Sequence, residues 1–200
     1  MSIKLLETIK CQDGKLLNIK WHNLRFNHAR QEYFGLQTKM NLVNFIKVPS
    51  GAKKGLFRCR ITYSKAIDKL EFIPHEHKTI NRLKLVEDNQ IDYHFKYADR
   101  NRLNELYDKR GECDDILIVK NGCITDSFTA NPIFFDGVYW WSPDTPLLPG
   151  TQRARLIAEH KISVCRITPN DLSKYEKIGL INAMWDMENM PVMEVTAIQN

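Results

Sequence analysis

Lys96 stands in "YHFKYADRN" (93–101), between aromatics, at the end of an alternating stretch and just ahead of a helix-like run. In a partly apolar pocket a lysine is desolvated, which lowers its pKa and leaves neutral amine able to form an imine. The alternative is an ammonium that snorkels to water. Asp126, in "NGCITDSFTAN", ends one arm of a hairpin. Pointed inward, its carboxylate needs a cationic partner, and a protonated pyridine nitrogen would serve. Pointed outward, it is a solvated or turn-capping acid. "PGTQR" sets a Gly150 turn ahead of a helix. The amides of Thr151 and Gln152 then face outward at the positive end of the helix dipole, where phosphate binds. Arg25 follows His22 by three positions in "WHNLR", so both share one helix face, and Arg25 is either a second phosphate ligand or half of a surface ion pair. A lysine for an imine, an acid for a ring nitrogen, and amides and an arginine for one phosphate are the set that pyridoxal 5'-phosphate requires.

Other patterns carry less. Arg58 and Arg60 alternate in "LFRCRITY" and lie on one strand face, either solvated or gripping a substrate carboxylate, for which bidentate arginine is suited. "PHEHK" has two histidines about a glutamate without HExxH spacing, so a turn is expected there and no metal site. Trp140-Trp141 reads as hairpin and core packing. No GxSxG or Walker pattern is present.

The elements that must position these residues are punctuated unevenly. In the first half, 3–10 reads as a strand, "QDG" as a turn, and "NIKWHNLRFNHARQEYFG" as a helix with Asn18 as N-cap and Gly35 as stop. Residues 38–46 read as a short helix, and "GLFRCRITYS" and "LEFIPHEHKTI" as strands, the latter ending at Pro74. Residues 80–89 mark the transition to a second unit. Beyond it, "QIDYHF" reads as a strand and "DRNRLNELYDKRG" as a helix capped by Asp99 and stopped by Gly111. Hairpins turn at Asn121-Gly122 and Asp136-Gly137. A helix after Gly150, a strand "SVCRIT", a short helix "PNDLSKYEKIG" and a closing strand pair complete the chain. This is a mixed α/β (α+β) chain, with a small domain over 1–84 and a larger hairpin-rich domain over 85–200. A Rossmann series fits poorly.

Composition agrees with an ordinary soluble globular chain. The 200 residues are 43% hydrophobic and 26% charged. A formal charge of +5, spread along the chain, suits anionic small molecules and gives no basic stripe for nucleic acid. No apolar run is long enough for a membrane span, and "MSIKLLETIK" makes a poor signal peptide. Five scattered cysteines without CxxC spacing suit reduced thiols, so a cytoplasmic location is expected.

Four motifs in order resemble the class-IV aminotransferase family, which includes branched-chain and D-amino-acid aminotransferases and aminodeoxychorismate lyase. "LLETIKCQDGKLLNIKWHNLR" is similar to the family's opening, whose arginine falls on Arg25 and holds the cofactor phosphate. "FKYADRNRL" resembles the segment of the Schiff-base lysine, on Lys96. "DDILIVKNGCITDSFTANPIFF" resembles the signature whose acid pairs with the pyridine nitrogen, on Asp126, followed by a motif asparagine on Asn131. "LLPGTQRARLI" resembles the phosphate turn, on Thr151 and Gln152. Asp126 replaces the family's usual glutamate, Gln152 replaces a threonine, and the chain starts almost at the opening motif, as a shortened member. The resemblance implies a two-domain D-amino-acid aminotransferase-like fold with pyridoxal 5'-phosphate bound as an imine on Lys96. It implies an amino-acid-like small-molecule substrate and a homodimer. The closing "NAMWDMENMPVMEV" is similar to the lyase ending, so the activity implied is release of pyruvate from aminodeoxychorismate to give 4-aminobenzoate, a folate precursor. The alternatives are an amino-acid aminotransferase and a catalytically degenerate homologue that binds the cofactor or a phosphate ligand.

Overall fold

In β1 (Leu5–Gln12), the odd positions Leu5, Glu7, Ile9 and Cys11 share one face and are all buried. Asp13 and Gly14, at φ 49° and 79°, then turn the chain into the two-residue β2 (Lys15–Leu16). The helix expected next is α1 (Ile19–Glu32), laid on the odd face of β1 through Phe26 and Ala29. Asn18 stands at its N-cap as expected, but at φ 55° its side chain makes no capping hydrogen bond. Asn tolerates that left-handed conformation and serves the turn instead. β3 (Leu56–Tyr63) and β4 (Ile67–Pro74) complete an antiparallel sheet in the order β2-β1-β3-β4. The computed structural model describes residues 3–200.

Residues 38–46 do not form the expected helix. Only Leu42–Asn44 makes a 3-10 turn. The reason lies in α1: Asn27 takes both the N–H and the C=O of Met40, each at 2.8 Å, and Asn23 accepts the N–H of Leu42 at 2.8 Å. Backbone groups that a helix would pair internally are already bound.

The chain divides into two units. Unit 1 comprises Met1–His77 and Phe95–Asp99; unit 2 comprises Lys78–His94 and Arg100–Asn200. Within unit 2 the first strand is β5 (Leu83–Glu87), in the stretch expected to be a transition. Residues 90–95, expected as a strand, form none. Asp88 accepts the N–H of Gln90 and Asp92 that of His94, so both local turns compete with any ladder. The following helix, α2 (Asn101–Tyr107), starts after Arg100 and not after Asp99, without a side-chain cap. A 3-10 turn over Asp108–Arg110 leads to Gly111 at φ 57°.

The two hairpins form as expected. β6 (Asp115–Lys120) and β7 (Cys123–Ser127) are joined by Asn121-Gly122 at φ 52° and 74°. β8 (Asn131–Phe135) and β9 (Trp140–Pro143) follow, with Asp136 accepting three hydrogen bonds in their turn, from the amides of Val138 and Tyr139 and the indole of Trp141. After α3 (Thr151–Ala158) come β10 (Ser163–Cys165), β11 (Lys177–Ile181), β12 (Val192–Glu194) and β13 (Ile198–Gln199). They build two sheets, β13-β5-β6-β7 and β10-β9-β8-β11-β12. Leu83, Leu117 and Ile124 of the first sheet meet Phe134, Ile178 and Leu180 of the second in one core. Each such buried side chain contributes about 1.5–3 kcal/mol. α3 covers the other side of β8 and β11, with Leu156 against Ile133 and Ile181.

Candidate active site

Each unit carries its own part of the predicted set. In unit 1 the segment 95–99 lies along the edge of β1. The Leu6 N–H donates to the Lys96 carbonyl at 2.8 Å, and Ala98 N–H to the Lys4 carbonyl at 2.8 Å, so the Lys96 backbone is pinned on both sides. Phe95 and Tyr97 both turn into the α1 core, packing edge-on against Tyr33 with ring centroids 5.2 and 6.0 Å apart. The aromatics around the lysine therefore anchor the segment, and Lys96, alternating with them, stays half-buried.

Beside it the sequence pattern concealed a buried acid. Glu7 is fully inaccessible and receives Arg25 through two bonds, Nε to Oε1 at 2.9 Å and Nη2 to Oε2 at 2.7 Å, and His22 Nδ1 at 2.6 Å. Burial alone would raise the Glu7 carboxyl, but the Arg25 charge and the His22 and Arg25 hydrogen bonds outweigh it and hold it at about 2. His22 is pushed down by burial; Glu7 opposes this, while the positive charges of Arg25 and Lys96 add to it. The imidazole is thus neutral, with Nδ1–H donated to Glu7 and a buried Nε2 that has no partner among the described residues. The bidentate Glu7 contact fixes the plane of the Arg25 guanidinium.

This network sets a stability prediction. The Glu7 carboxyl titrates below its ordinary 4.5, so its ionised form stabilises the fold above that value, and the contribution disappears as pH falls through about 2. Glu7→Gln leaves the Arg25 charge without its acid, and breaking a buried pair costs about 3–5 kcal/mol. Urea unfolding of wild type and variant should show a gap of that order at neutral pH that narrows steadily below pH 4.5. A gap independent of pH would show that Glu7 acts by packing alone.

Arg58 and Arg60 lie on the opposite face of the same sheet, since Cys59, Ile61 and Tyr63 take the α1 face. The structure therefore does not group them with Arg25. In register, Arg58 stands beside Lys10 and Arg60 between Thr8 and Glu71. His75 joins them: its imidazole is pushed down to about 4 by burial and by the charges of Arg58, His77 and Lys10. The Nε atoms of Arg58 and Arg60 and His75 Nε2 are buried without partners among the described residues. The described residues include no cluster of three or more His, Cys, Asp or Glu side chains that would hold a metal, and His77 packs edge-on to His75 at 5.3 Å.

In unit 2, Asp126 on β7 is buried and points inward. Its Oδ1 accepts from Asn131 Nδ2 at 2.7 Å and its Oδ2 from the Leu148 N–H at 2.8 Å. Two residues beyond Leu148, Gly150 opens α3. The Ala154 N–H makes the helix's first internal bond, to the Gly150 carbonyl at 2.9 Å, so the amides of Thr151, Gln152 and Arg153 have no acceptor within the helix. Thr151 and Gln152 are both buried. Gln152 Oε1 accepts from Arg155 Nε at 3.2 Å, while its Nε2 is buried without a partner among the described residues. An orphaned donor beside unpaired amides suits the oxygens of an anion, and where the resemblance led us to expect a threonine hydroxyl, Gln152 offers an N–H instead.

A family model for amino-transferase class IV matches residues 93–198, more than half of the chain. A Haemophilus influenzae protein, named only as uncharacterized, is 38% identical over 182 residues, covering 90% of this chain and 97% of its own. Among solved structures, a Haemophilus somnus protein provisionally named 4-amino-4-deoxychorismate lyase aligns with a TM-score of 0.86 at 36% identity, over 92% of this chain and 97% of that one. A Mesorhizobium loti protein provisionally named amino-acid aminotransferase aligns with a TM-score of 0.82 over 99% of this chain and 100% of that one, at 18% identity, a likeness of fold. The chain belongs to the class-IV aminotransferase family. Its fold is that of the fold-type IV enzymes, and the family uses pyridoxal phosphate. No helix among the described residues is long and apolar enough to cross a membrane.

Proposed function

We propose that this chain is a pyridoxal-phosphate enzyme acting on 4-amino-4-deoxychorismate, releasing pyruvate and leaving 4-aminobenzoate. The observation that carries the cofactor assignment is the pinning of Lys96 against β1 next to the Glu7–His22–Arg25 group. When bound, the cofactor supplies an electron sink for charge developing at the substrate's reacting carbon. Lys96 Nζ would be the amine that holds the cofactor, and its neutral form would serve as general base for the substrate proton. Arg25 and the amides of Thr151 and Gln152 would hold its phosphate, with Gln152 Nε2 as a further donor. Asp126 would keep the ring nitrogen protonated.

One observation favours the lyase over an aminotransferase: the 36% identity to the Haemophilus somnus protein spans nearly both chains. Lys10, Arg58, Arg60 and His75 gather several donors on one sheet face of unit 1, which suits the carboxylates of either class of substrate. On this reading Arg58 and Arg60 grip the substrate, and the protein works as a cytoplasmic homodimer, the usual closed symmetry.

The lyase reaction is balanced without a second substrate, whereas transamination requires a 2-oxo acid acceptor. The test is purified protein titrated with pyridoxal phosphate, then assayed with aminodeoxychorismate alone and with L- and D-amino acids plus 2-oxoglutarate. The expected result is a visible absorption band and pyruvate released without any acceptor. Turnover only with an acceptor would make the protein an aminotransferase, and absence of the band would make it a degenerate homologue.

A further inference from the structure

We infer that Asn131 is a positioning residue that locks the ring-nitrogen acid Asp126 to the phosphate-binding turn, so that the two contacts are set by one side chain. The inference rests on the cofactor reading given above. Asn131 is the first residue of β8 and is buried. Both of its amide protons are used: Nδ2 donates to Asp126 Oδ1 at 2.7 Å and to the Leu148 carbonyl at 2.9 Å. Leu148 returns its own N–H to Asp126 Oδ2 at 2.8 Å. Asp126, Asn131 and the Leu148 peptide thus close a ring of three charge-assisted or buried hydrogen bonds. Leu148 belongs to the stretch 144–150, which has no regular structure of its own. This ring is therefore what fixes the backbone immediately ahead of Gly150 and the first turn of α3.

The remaining atom of Asn131 explains Gly150. That residue has φ −67° and ψ 144°, which any residue adopts, so glycine is not required by its backbone. A β-carbon there would fall inside the van der Waals envelope of Asn131 Oδ1. The turn approaches the carboxamide so closely that one side chain now touches the acid, the loop and the start of the helix. Asparagine is the residue that does this: aspartate lacks the two donors, and alanine reaches neither partner. Gln152, with its orphaned Nε2, is two residues beyond Gly150, so an error in the loop is passed directly to the phosphate donors.

The test uses the full-length protein loaded with pyridoxal phosphate, and in parallel with pyridoxal, which has the ring without the phosphate. Asn131→Asp keeps the shape and removes both donors; Asn131→Ala removes the group. Each should weaken pyridoxal phosphate binding by about 10- to 100-fold, the scale of a lost charge-assisted hydrogen bond, and should weaken pyridoxal less. Each should also shift the pH at which the visible band fades, because Asp126 has lost its support. Gly150→Ala alters none of the three residues of the ring, yet should shift that same pH by displacing Asn131. In the Asn131→Ala background it should add little, since the clash is gone. The inference is overturned if wild type shows the band and the Asn131 variants keep wild-type affinity and band profile, whatever their thermal stability. Additive effects of Gly150→Ala and Asn131→Ala would overturn it as well. A wild-type protein without any band removes the cofactor reading and this inference together, an outcome distinct from the other two.

Discussion

Borohydride reduction of the cofactor-loaded protein should leave a stable label on Lys96 and on no other lysine, and Lys96→Ala should abolish both label and turnover. Reduction converts the covalent link into an amine that survives proteolysis, so peptide mapping reads the attachment directly. The loss of turnover should be large because Lys96 has two tasks. As general base alone a positioned side chain is worth about 10²–10⁴ in rate. Lys96→Arg should not rescue, since a guanidinium stays protonated and cannot take the substrate proton. The fold should survive either change. The Lys96 carbonyl pairs with β1, and Phe95 and Tyr97 supply packing. Label on another lysine, or turnover retained in Lys96→Ala, would remove Lys96 from the chemistry.

What could be read from the sequence was what local chemistry determines. Asn121-Gly122 signals its hairpin because both positions need positive φ, and they have it. The alternation of "LFRCRITY" put Arg58 and Arg60 on one face, and the strand shows that face. The failures have a common physical form: a side chain distant in sequence, or a short polar one nearby, takes the backbone groups. Asn27 undoes a helix at Met40 that composition alone favours. Asp88 and Asp92 undo a strand over 90–95. Neither effect is visible to periodicity, which registers apolar spacing and not which amide a carboxylate will claim.

The candidate site was legible in its charges and opaque in its supports. Lys96, Arg25, Asp126 and the Gly150 turn stand out as residue types with few uses. Glu7 did not, although a signal existed: in "LLETIKC" it occupies an odd position among Leu5, Ile9 and Cys11, on the face that must be buried. A carboxylate there must find a cation, and α1 offers one in Arg25. Asn131 was visible as a motif residue, but its link to Leu148 joins strands and a loop seventeen positions apart, which no pattern of spacing contains.

Asp126→Asn should lower turnover by about 10²–10³, roughly 3–4 kcal/mol, while leaving the cofactor attached. On the proposed reading the carboxylate keeps the ring nitrogen protonated, and the amide cannot carry the compensating charge. Attachment should persist because Lys96, Arg25 and the α3 amides are untouched. The surrounding bonds sharpen the expectation. Asn131 Nδ2 and the Leu148 N–H are both donors aimed at this side chain, so an amide can satisfy one and must face the other with its own N–H. Some loss of thermal stability should therefore accompany the loss of rate, and comparison with Asp126→Glu separates the two. Glutamate keeps the charge but is one methylene longer, so it should retain most of the turnover at a modest cost in packing. The measurements are turnover, the visible band and the thermal midpoint for both variants. If Asp126→Asn keeps near-wild-type turnover, another acid holds the ring nitrogen. Asp136 is committed to its turn and to the Trp141 indole. Asp115 then becomes the next buried acid to test, its carboxyl pushed up to about 6 by burial against the opposing pull of the Ile116 and Phe128 amides.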